Sequence, residues 1–300
     1  MHNLLFAELC DAYLHLFEGK DPARKTQVAY WREYLAGKAA KDVTADDIED
    51  GLIALAQRGK MQNYKGRGAI ATGKPLSGAS INRYRSSVSA VFTWARRNRK
   101  LPRTVQHPCK DVAINPEPPK KFEFLRPEEI DKLVAVARLE LWRKLPLFVL
   151  LAYTSGLRVA NLRELRWGQV DLEGRRISIP TTKNGRPHEV ALTQRVVAEL
   201  KAIGGEAGRA PGVYVFESQN RPGHPHNCTS AFAALARKAL PGRDVTIHTL
   251  RHSSASALAA AGASTIQLMV HLNHSSPRMS ARYSHLDLTS RTQLVDSVFG

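Results

Sequence analysis

The chain concentrates chemistry-bearing residues in one stretch. Residues 248 to 285 read HTLRHSSASALAAAGASTIQLMVHLNHSSPRMSARYSH, with His248 and Arg251 three apart, His274 further on and Tyr283 nine residues after it. An arginine offers a planar fork of N–H donors to an oxyanion, and a histidine donates hydrogen bonds or moves a proton near neutral pH. A tyrosine hydroxyl, with an unperturbed pKa near ~10, becomes a nucleophile once a neighbour takes its proton. That set reads as an active site for attack on an anionic centre.

Local signals supply the elements that hold these groups. His248 to Ala261 is rich in alanine and leucine, a helix that Gly262 can end in the left-handed conformation, and His248 and Arg251 share a face near its start. Ser264 can cap a second short helix through Leu272, and Asn273 can end it, since asparagine tolerates left-handed backbone. Ser276 followed by Pro277 is a start signal for a third helix carrying Arg278, Arg282 and Tyr283. Three short helices joined by tight turns can bring His248, Arg251, His274 and Tyr283 to one point.

On these residues the sequence resembles the tyrosine recombinase (phage integrase) family, whose signature is H-x-x-R, a histidine or tryptophan after a helix-ending glycine, and the nucleophilic tyrosine nine residues later. His248, Arg251, His274 and Tyr283 fit the four positions; Asn273 stands where the family usually has glycine. The resemblance extends to TSGLRVANLRELRW, which matches the family's T-G-L-R pattern and makes Arg158 the first catalytic arginine. Asn161 stands where the family commonly has an acid three residues on. In RRISIPTTKNGRPHEVALT, two alternating strands flank Asn184-Gly185, a strong hairpin signal. The family carries its catalytic lysine on this turn as T-K-N-G, which points to Lys183. A further short strand is expected over residues 212 to 218, and an amphipathic helix from Cys228 to Leu240.

The resemblance implies strand breakage and rejoining without metal, cofactor or ATP. A phosphodiester repels nucleophiles and has a poor leaving group. Arg158 and Arg251 would fork onto the non-bridging oxygens and stabilise the charge that grows in the transition state. His248 and His274 would add hydrogen bonds, His248 would help deprotonate Tyr283, and Lys183 would protonate the departing 5′ oxygen. The product would be a 3′-phosphotyrosyl link that a 5′ hydroxyl can reverse. His248 and His252 are four apart, but no H-E-x-x-H or third ligand accompanies them, so no metal is expected.

Bulk composition agrees with a polyanionic partner. The chain carries 44 Lys and Arg against 27 Asp and Glu, a formal net charge of +17, with ordinary hydrophobic content. Cys10, Cys109 and Cys228 are odd in number and far apart, which fits reduced thiols in the cytoplasm. No apolar run has the length of a membrane span, and the first residues lack the pattern of a secretory leader.

Three hundred residues suggest two domains. Residues 113 to 121, AINPEPPKK, hold three prolines and read as a stiff linker, dividing residues 1–112 from 122–300. In the first domain Leu5, Leu9, Ala12 and Leu16 form one helical stripe, Val28, Trp31 and Leu35 another, and Thr44 opens a helix through Ile48, Leu52 and Leu55. From Gly51 to Lys110 there are thirteen Lys and Arg and no acid, which marks this region as the DNA-facing one. KMQNYKGRGAIATGKPLSGA reads as a basic glycine-rich loop with Lys65, Arg67 and Lys74. SINRYRSSVSAVFTWARRNRK reads as a helix with Ile81, Val88, Val91, Phe92 and Ala95 inward. Asn82, Arg83, Arg85, Ser86 and Ser89 lie on its other face, and Arg96 and Arg97 at its end. The fold class expected is mainly α: an N-terminal SAM-like, core-binding helical bundle and a mostly helical catalytic domain with a small antiparallel sheet. By resemblance the two form a C-clamp around DNA.

The function expected is a site-specific DNA recombinase acting as a homotetramer on double-stranded DNA with short inverted repeats, through a Holliday junction. Leu294, Val295, Val298 and Phe299 lie where the family often exchanges a C-terminal segment between protomers, the alternative being a tail packed on its own domain. Two rivals share the fold: a type IB topoisomerase, which relaxes DNA as a monomer, and a non-catalytic DNA-binding protein. A basic RNA-associated module is a third, and it predicts none of the six catalytic positions. Two domains fill the chain, leaving no room for an arm-site-binding domain, and integration, inversion and dimer resolution all stay open.

Overall fold

A computed structural model gives the fold and describes residues 4–19, 21–64, 68–117, 123–182, 185–204, 210–281 and 283. Lys65, Arg67, Lys183, Arg282 and the apolar C-terminal residues lie outside the described residues. The chain divides into two compact units, Met1–Lys120 and Lys121–Gly300, a break inside the proline-rich stretch.

The first unit is built from α1 (Phe6–His15), α2 (Ala23–Tyr34), α3 (Ala45–Arg58) and α4 (Gly78–Arg97), with a hairpin of β1 (Met61–Tyr64) and β2 (Gly68–Ala71) between the last two helices. Thr44 and Asp47 open α3 with reciprocal bonds: the Asp47 N–H donates to Thr44 Oγ1 and the Thr44 N–H to Asp47 Oδ2, 3.3 and 2.7 Å. Apolar stripes from all four helices meet around Phe6, Leu9, Trp31, Ile48, Leu55 and Phe92. The stretch expected to be a basic loop is instead largely paired, Met61 opposite Ala71 and Tyr64 opposite Gly68, with β2 exposed along its length. Period-two patterning is absent there because neither face of the strand is buried.

In α4 the inward face is as expected, with Val88, Val91, Phe92 and Ala95 buried and Ile81 packed at the edge. Its opposite face serves partly inside the unit. Arg85 donates to the carbonyls of Cys109 and Val112, and Asn82 exchanges two hydrogen bonds with the backbone of Asn115 at 2.9 and 3.0 Å. The fork of Arg85 and the amide of Asn82 match free backbone groups that a structureless segment would leave unpaired. Both therefore fasten residues 109–115 to the helix, where groove contacts were expected of them.

The second unit contains α5 (Pro127–Ala137), α6 (Leu145–Ser155), α7 (Val159–Arg163), β3 (Val170–Asp171), β4 (Arg176–Ile179), β5 (His188–Ala191), α8 (Gln194–Gly204), β6 (Glu217–Ser218), β7 (Arg221–Pro225), α9 (Cys228–Ala239), α10 (Ile247–Ala260), α11 (Thr265–His271) and α12 (Pro277–Ala281). Helix α6 is apolar all round and buried from Leu145 to Ala152, so it forms the centre, with α5, α7, α8, α9 and α10 packed on it. An antiparallel sheet in the order β3-β4-β5 lies beside them. The strand expected over 212–218 is reduced to Glu217–Ser218 and an isolated bridge from Tyr214 to Arg166.

The β4–β5 connection is longer than a two-residue hairpin. Pairing stops at Ile179 opposite His188, because Pro180 and Pro187 come next on the two strands and neither has an N–H to donate. Cys10, Cys109 and Cys228 are buried free thiols, and burial pushes the first and last up to about 12. Among the described residues no helix is long and apolar enough to cross a membrane.

Candidate active site

The three C-terminal helices begin and end where their cap residues put them. Ser264 accepts from the Gln267 N–H to open α11, Asn273 is left-handed at φ 47°, and Pro277 starts α12. Gly156, also left-handed at φ 58°, ends α6 just before Arg158, which caps α7. Helix ends leave carbonyls without helical partners. The two arginines take those carbonyls.

Arg251, 8% exposed, donates from Nη1 to the Gly156 carbonyl and from Nη2 to the Leu272 carbonyl. Arg158 donates from Nη1 to the Asn273 carbonyl at 3.2 Å. Both guanidiniums thus sit at the negative ends of helices α6 and α11. Among the described residues neither pairs with a carboxylate, and Asn161 makes no hydrogen bond to Arg158. Where an acid was expected to hold Arg158, one backbone carbonyl, that of Asn273, takes its place. Burial lowers the pKa of Arg158, and burial followed by the neighbouring Arg158 pushes Arg251 down to about 10, Tyr283 opposing the shift. Two adjacent cations with no acid among the described residues make a site suited to an anion.

Asn273 also reaches the β4–β5 connection. Its Nδ2 donates to Thr182 Oγ1 at 3.0 Å, and Thr182 closes the turn by donating from N and Oγ1 to the Arg186 carbonyl. The residue that stands where glycine was expected therefore links the Arg158 anchor to Thr182, the residue before Lys183 in sequence. Asn273→Ala should lose about 1–3 kcal/mol, combining the positive-φ cost with the lost hydrogen bond. Asn273→Gly should lose less than about 1 kcal/mol, because glycine keeps the left-handed backbone without strain while the bond to Thr182 goes. Denaturant unfolding of both variants checks this, and equal losses would refute the backbone argument.

The histidines are distributed differently from the sequence pattern. His274 Nδ1 lies 2.8 Å from Ser280 Oγ, which fixes the ring against α12. His248 is exposed, so α10 turns Arg251 inward and leaves its i−3 neighbour facing out. The imidazole in contact with Tyr283 is that of His252, whose Nδ1 lies 2.7 Å from Tyr283 Oη. Tyr283 itself is 2% exposed and packs with Ala255, Ala259, Leu268 and Leu272.

Two further histidines that sequence reading missed stand behind the arginines. His271 Nε2 is 3.0 Å from Ser254 Oγ, and His188 hydrogen-bonds to the His271 backbone. Burial first, then His188 and Arg251, push His271 down to about 4, and burial with the two arginines also lowers His188. Both are neutral struts at neutral pH. A signal existed for His188, which alternates in phase with the inward Val190 along β5.

Of the expected DNA contacts, Lys74, Arg83, Ser86 and Arg97 are exposed, and Arg96 is partly buried with a bond to the Arg103 carbonyl at 3.2 Å. Ser86, Ser89, Thr93 and Arg97 line one shallow cleft along α4, together with Arg85.

Comparison with known proteins agrees with this architecture. The chain is 27% identical over 302 residues to the integrase of Salmonella phage P22, covering 92% of this chain and 75% of that protein. It is 25% identical to a tyrosine recombinase of Thermosipho africanus, covering 88% and 87%. The Tn1549 transposon integrase in complex with transposon right end DNA superposes with a TM-score of 0.73 at 18% identity, over 99% of this chain and all of that one. A lambda integrase dimer bound to a core site superposes at 0.66 and 20% identity, over 94% and 77%. The profile of the phage integrase family matches residues 123–289, over half of the chain and every element that carries the arginines, histidines and tyrosine above. The chain belongs to the phage integrase family, a tyrosine recombinase that breaks and rejoins DNA strands.

Proposed function

We propose that this recombinase attacks a scissile phosphate with Tyr283, forming a 3′-phosphotyrosyl link, and exchanges strands through a Holliday junction. The observation that carries the reading is the pair Arg158 and Arg251, held on helix-end carbonyls with no carboxylate among the described residues and with Tyr283 within electrostatic reach of Arg251. A phosphodiester supplies the anion that such a pair lacks. In this reading Arg158 and Arg251 bind the non-bridging oxygens, His274 and His248 donate to the same phosphate, and Lys183 protonates the leaving 5′ oxygen.

The first unit would grip duplex DNA through Lys65, Arg67, Lys74, Arg83, Ser86, Arg96 and Arg97, with Asn82 and Arg85 bracing the helix that presents them. Residues 1–112 would be the core-binding domain and 122–300 the catalytic domain, acting in the cytoplasm. A homotetramer on two inverted-repeat sites, joined by exchange of the C-terminal segment, would complete the reaction. Relatives named as a phage integrase and a transposon integrase bound to its transposon end support integration or excision of a mobile element.

The test incubates the purified chain with DNA from the junctions of its element, nicked beside the cleavage point so that the released strand is lost. A covalent protein–DNA adduct on a denaturing gel is expected. Tyr283→Phe should abolish it, by at least about 10³-fold since only the attacking oxygen is removed, while gel-shift binding stays within about twofold. Adduct in the variant would move the nucleophile elsewhere. Relaxation of supercoiled plasmid without site preference would instead favour a topoisomerase.

A further inference from the structure

The nucleophile's neighbour is the histidine that follows Arg251. His252 Nδ1 and Tyr283 Oη are 2.7 Å apart, with ring centroids at 6.2 Å and planes at 43°. Successive side chains on a helix diverge by about 100°. One turn of α10 therefore points Arg251 at the Gly156 and Leu272 carbonyls and His252 at the phenol. Among the described residues the other imidazoles nearby are engaged or remote. His274 is bonded to Ser280, His271 to Ser254, His188 to the His271 backbone, and His248 is exposed.

We propose that His252 is the proton acceptor for Tyr283 in strand cleavage and returns that proton in rejoining. The inference rests on the recombinase reading above. As Tyr283 Oη forms its bond to phosphorus, its proton passes to His252 Nδ1, with the ring's own proton on Nε2. The bond from phosphorus to the 5′ oxygen breaks, and that oxygen takes a proton from the general acid. In the reverse step the 5′ hydroxyl attacks and gives its proton back to the deprotonated general acid, the phenolate leaves, and the imidazolium protonates it. The surroundings suit this division of labour. Arg251 favours a phenolate by its charge, yet stays protonated at neutral pH, so the proton needs a separate acceptor in contact with the oxygen.

The experiment is single-turnover cleavage by the full chain of its nicked site carrying a 5′-bridging sulfur at the scissile phosphate. The thiolate leaves without an acid, so the rate reports activation of the nucleophile alone. His252→Ala should be about 10²-fold slower. His252→Gln, which can hydrogen-bond but not accept the proton, should be equally slow. Added imidazole should restore the alanine variant at least about tenfold and leave the glutamine variant unchanged. Gel-shift affinity and melting temperature of both variants should match the unmodified chain, which separates the effect from misfolding. A glutamine variant within threefold of the unmodified rate, a failure of imidazole rescue, or faster cleavage by either variant, as a restraining contact would give, overturns the proposal. No adduct from the unmodified chain would instead refute the recombinase reading itself.

Discussion

Arg251→Lys should lower the rate of covalent adduct formation by about 10²- to 10³-fold, with gel-shift affinity for the same DNA changed by less than about threefold. The expectation follows from how the guanidinium is held. Two of its N–H groups are spent on the Gly156 and Leu272 carbonyls, which come from helices 95 and 21 residues away in sequence. The planar fork leaves its remaining donors in a fixed direction, where they meet an oxyanion without reorganising. Lysine has a single ammonium on a flexible stem. It can satisfy one carbonyl or the phosphate, and placing it beside Arg158 in a buried site with no carboxylate among the described residues also favours loss of its proton. Binding is spread over many phosphates and depends little on one side chain, whereas in the proposed reaction the charge developing at phosphorus would meet this one directly. Single-turnover assays on the nicked site, paired with gel shifts, measure both quantities. A loss below about threefold in rate would mean that the Gly156 and Leu272 carbonyls hold a structural arginine and that the phosphate is bound elsewhere.

The parts of this site that were legible in the sequence are those set by local backbone chemistry. Ser264, Asn273 and Ser276-Pro277 place the ends of α11 and α12 because each satisfies or forbids a hydrogen bond within a few residues. The apolar stripes of α3 and α4 likewise predict which faces are buried. What the sequence hid depends on partners distant in the chain. Arg85 and Asn82 have the composition of groove-contacting residues, and only the position of residues 109–115 turns them inward. His252 is one residue from the H-x-x-R pattern, and its contact with Tyr283 spans 31 positions. A spacing rule states which groups are present and leaves open which of two histidines on one helix meets the phenol. The β4–β5 hairpin was legible from its two strands and the Asn184-Gly185 turn signal, and only its length was not: Pro180 and Pro187 end the ladder at Ile179 opposite His188.

The carbonyl anchoring carries a consequence for stability. Gly156→Ala should destabilise the second unit by about 2–5 kcal/mol and slow adduct formation by at least about tenfold. Gly156 has φ 58°, where a side chain costs about 1–2 kcal/mol. A Cβ there would lie 2.7 Å from Leu272 Cδ2 and 3.2 Å from His271 Nε2. Leu272 is fully buried and His271 is held by Ser254, so neither can retreat freely, and overpacking adds about 1–3 kcal/mol. The residues that would be pushed are also those that set the Arg251 anchor, since the Gly156 carbonyl and the Leu272 carbonyl are its two acceptors. Gly242→Ala is the matched control: its φ is 82° and nothing lies within 4 Å of the added carbon, so it should cost about 1–2 kcal/mol and leave the cleavage rate alone. At roughly 2–4 °C per kcal/mol, thermal melts resolve the two variants. Were both to melt alike, the close approach of α11 to the end of α6 would carry no energy; were Gly156→Ala to melt early yet cleave at the unmodified rate, Arg251 would not depend on that carbonyl for its aim.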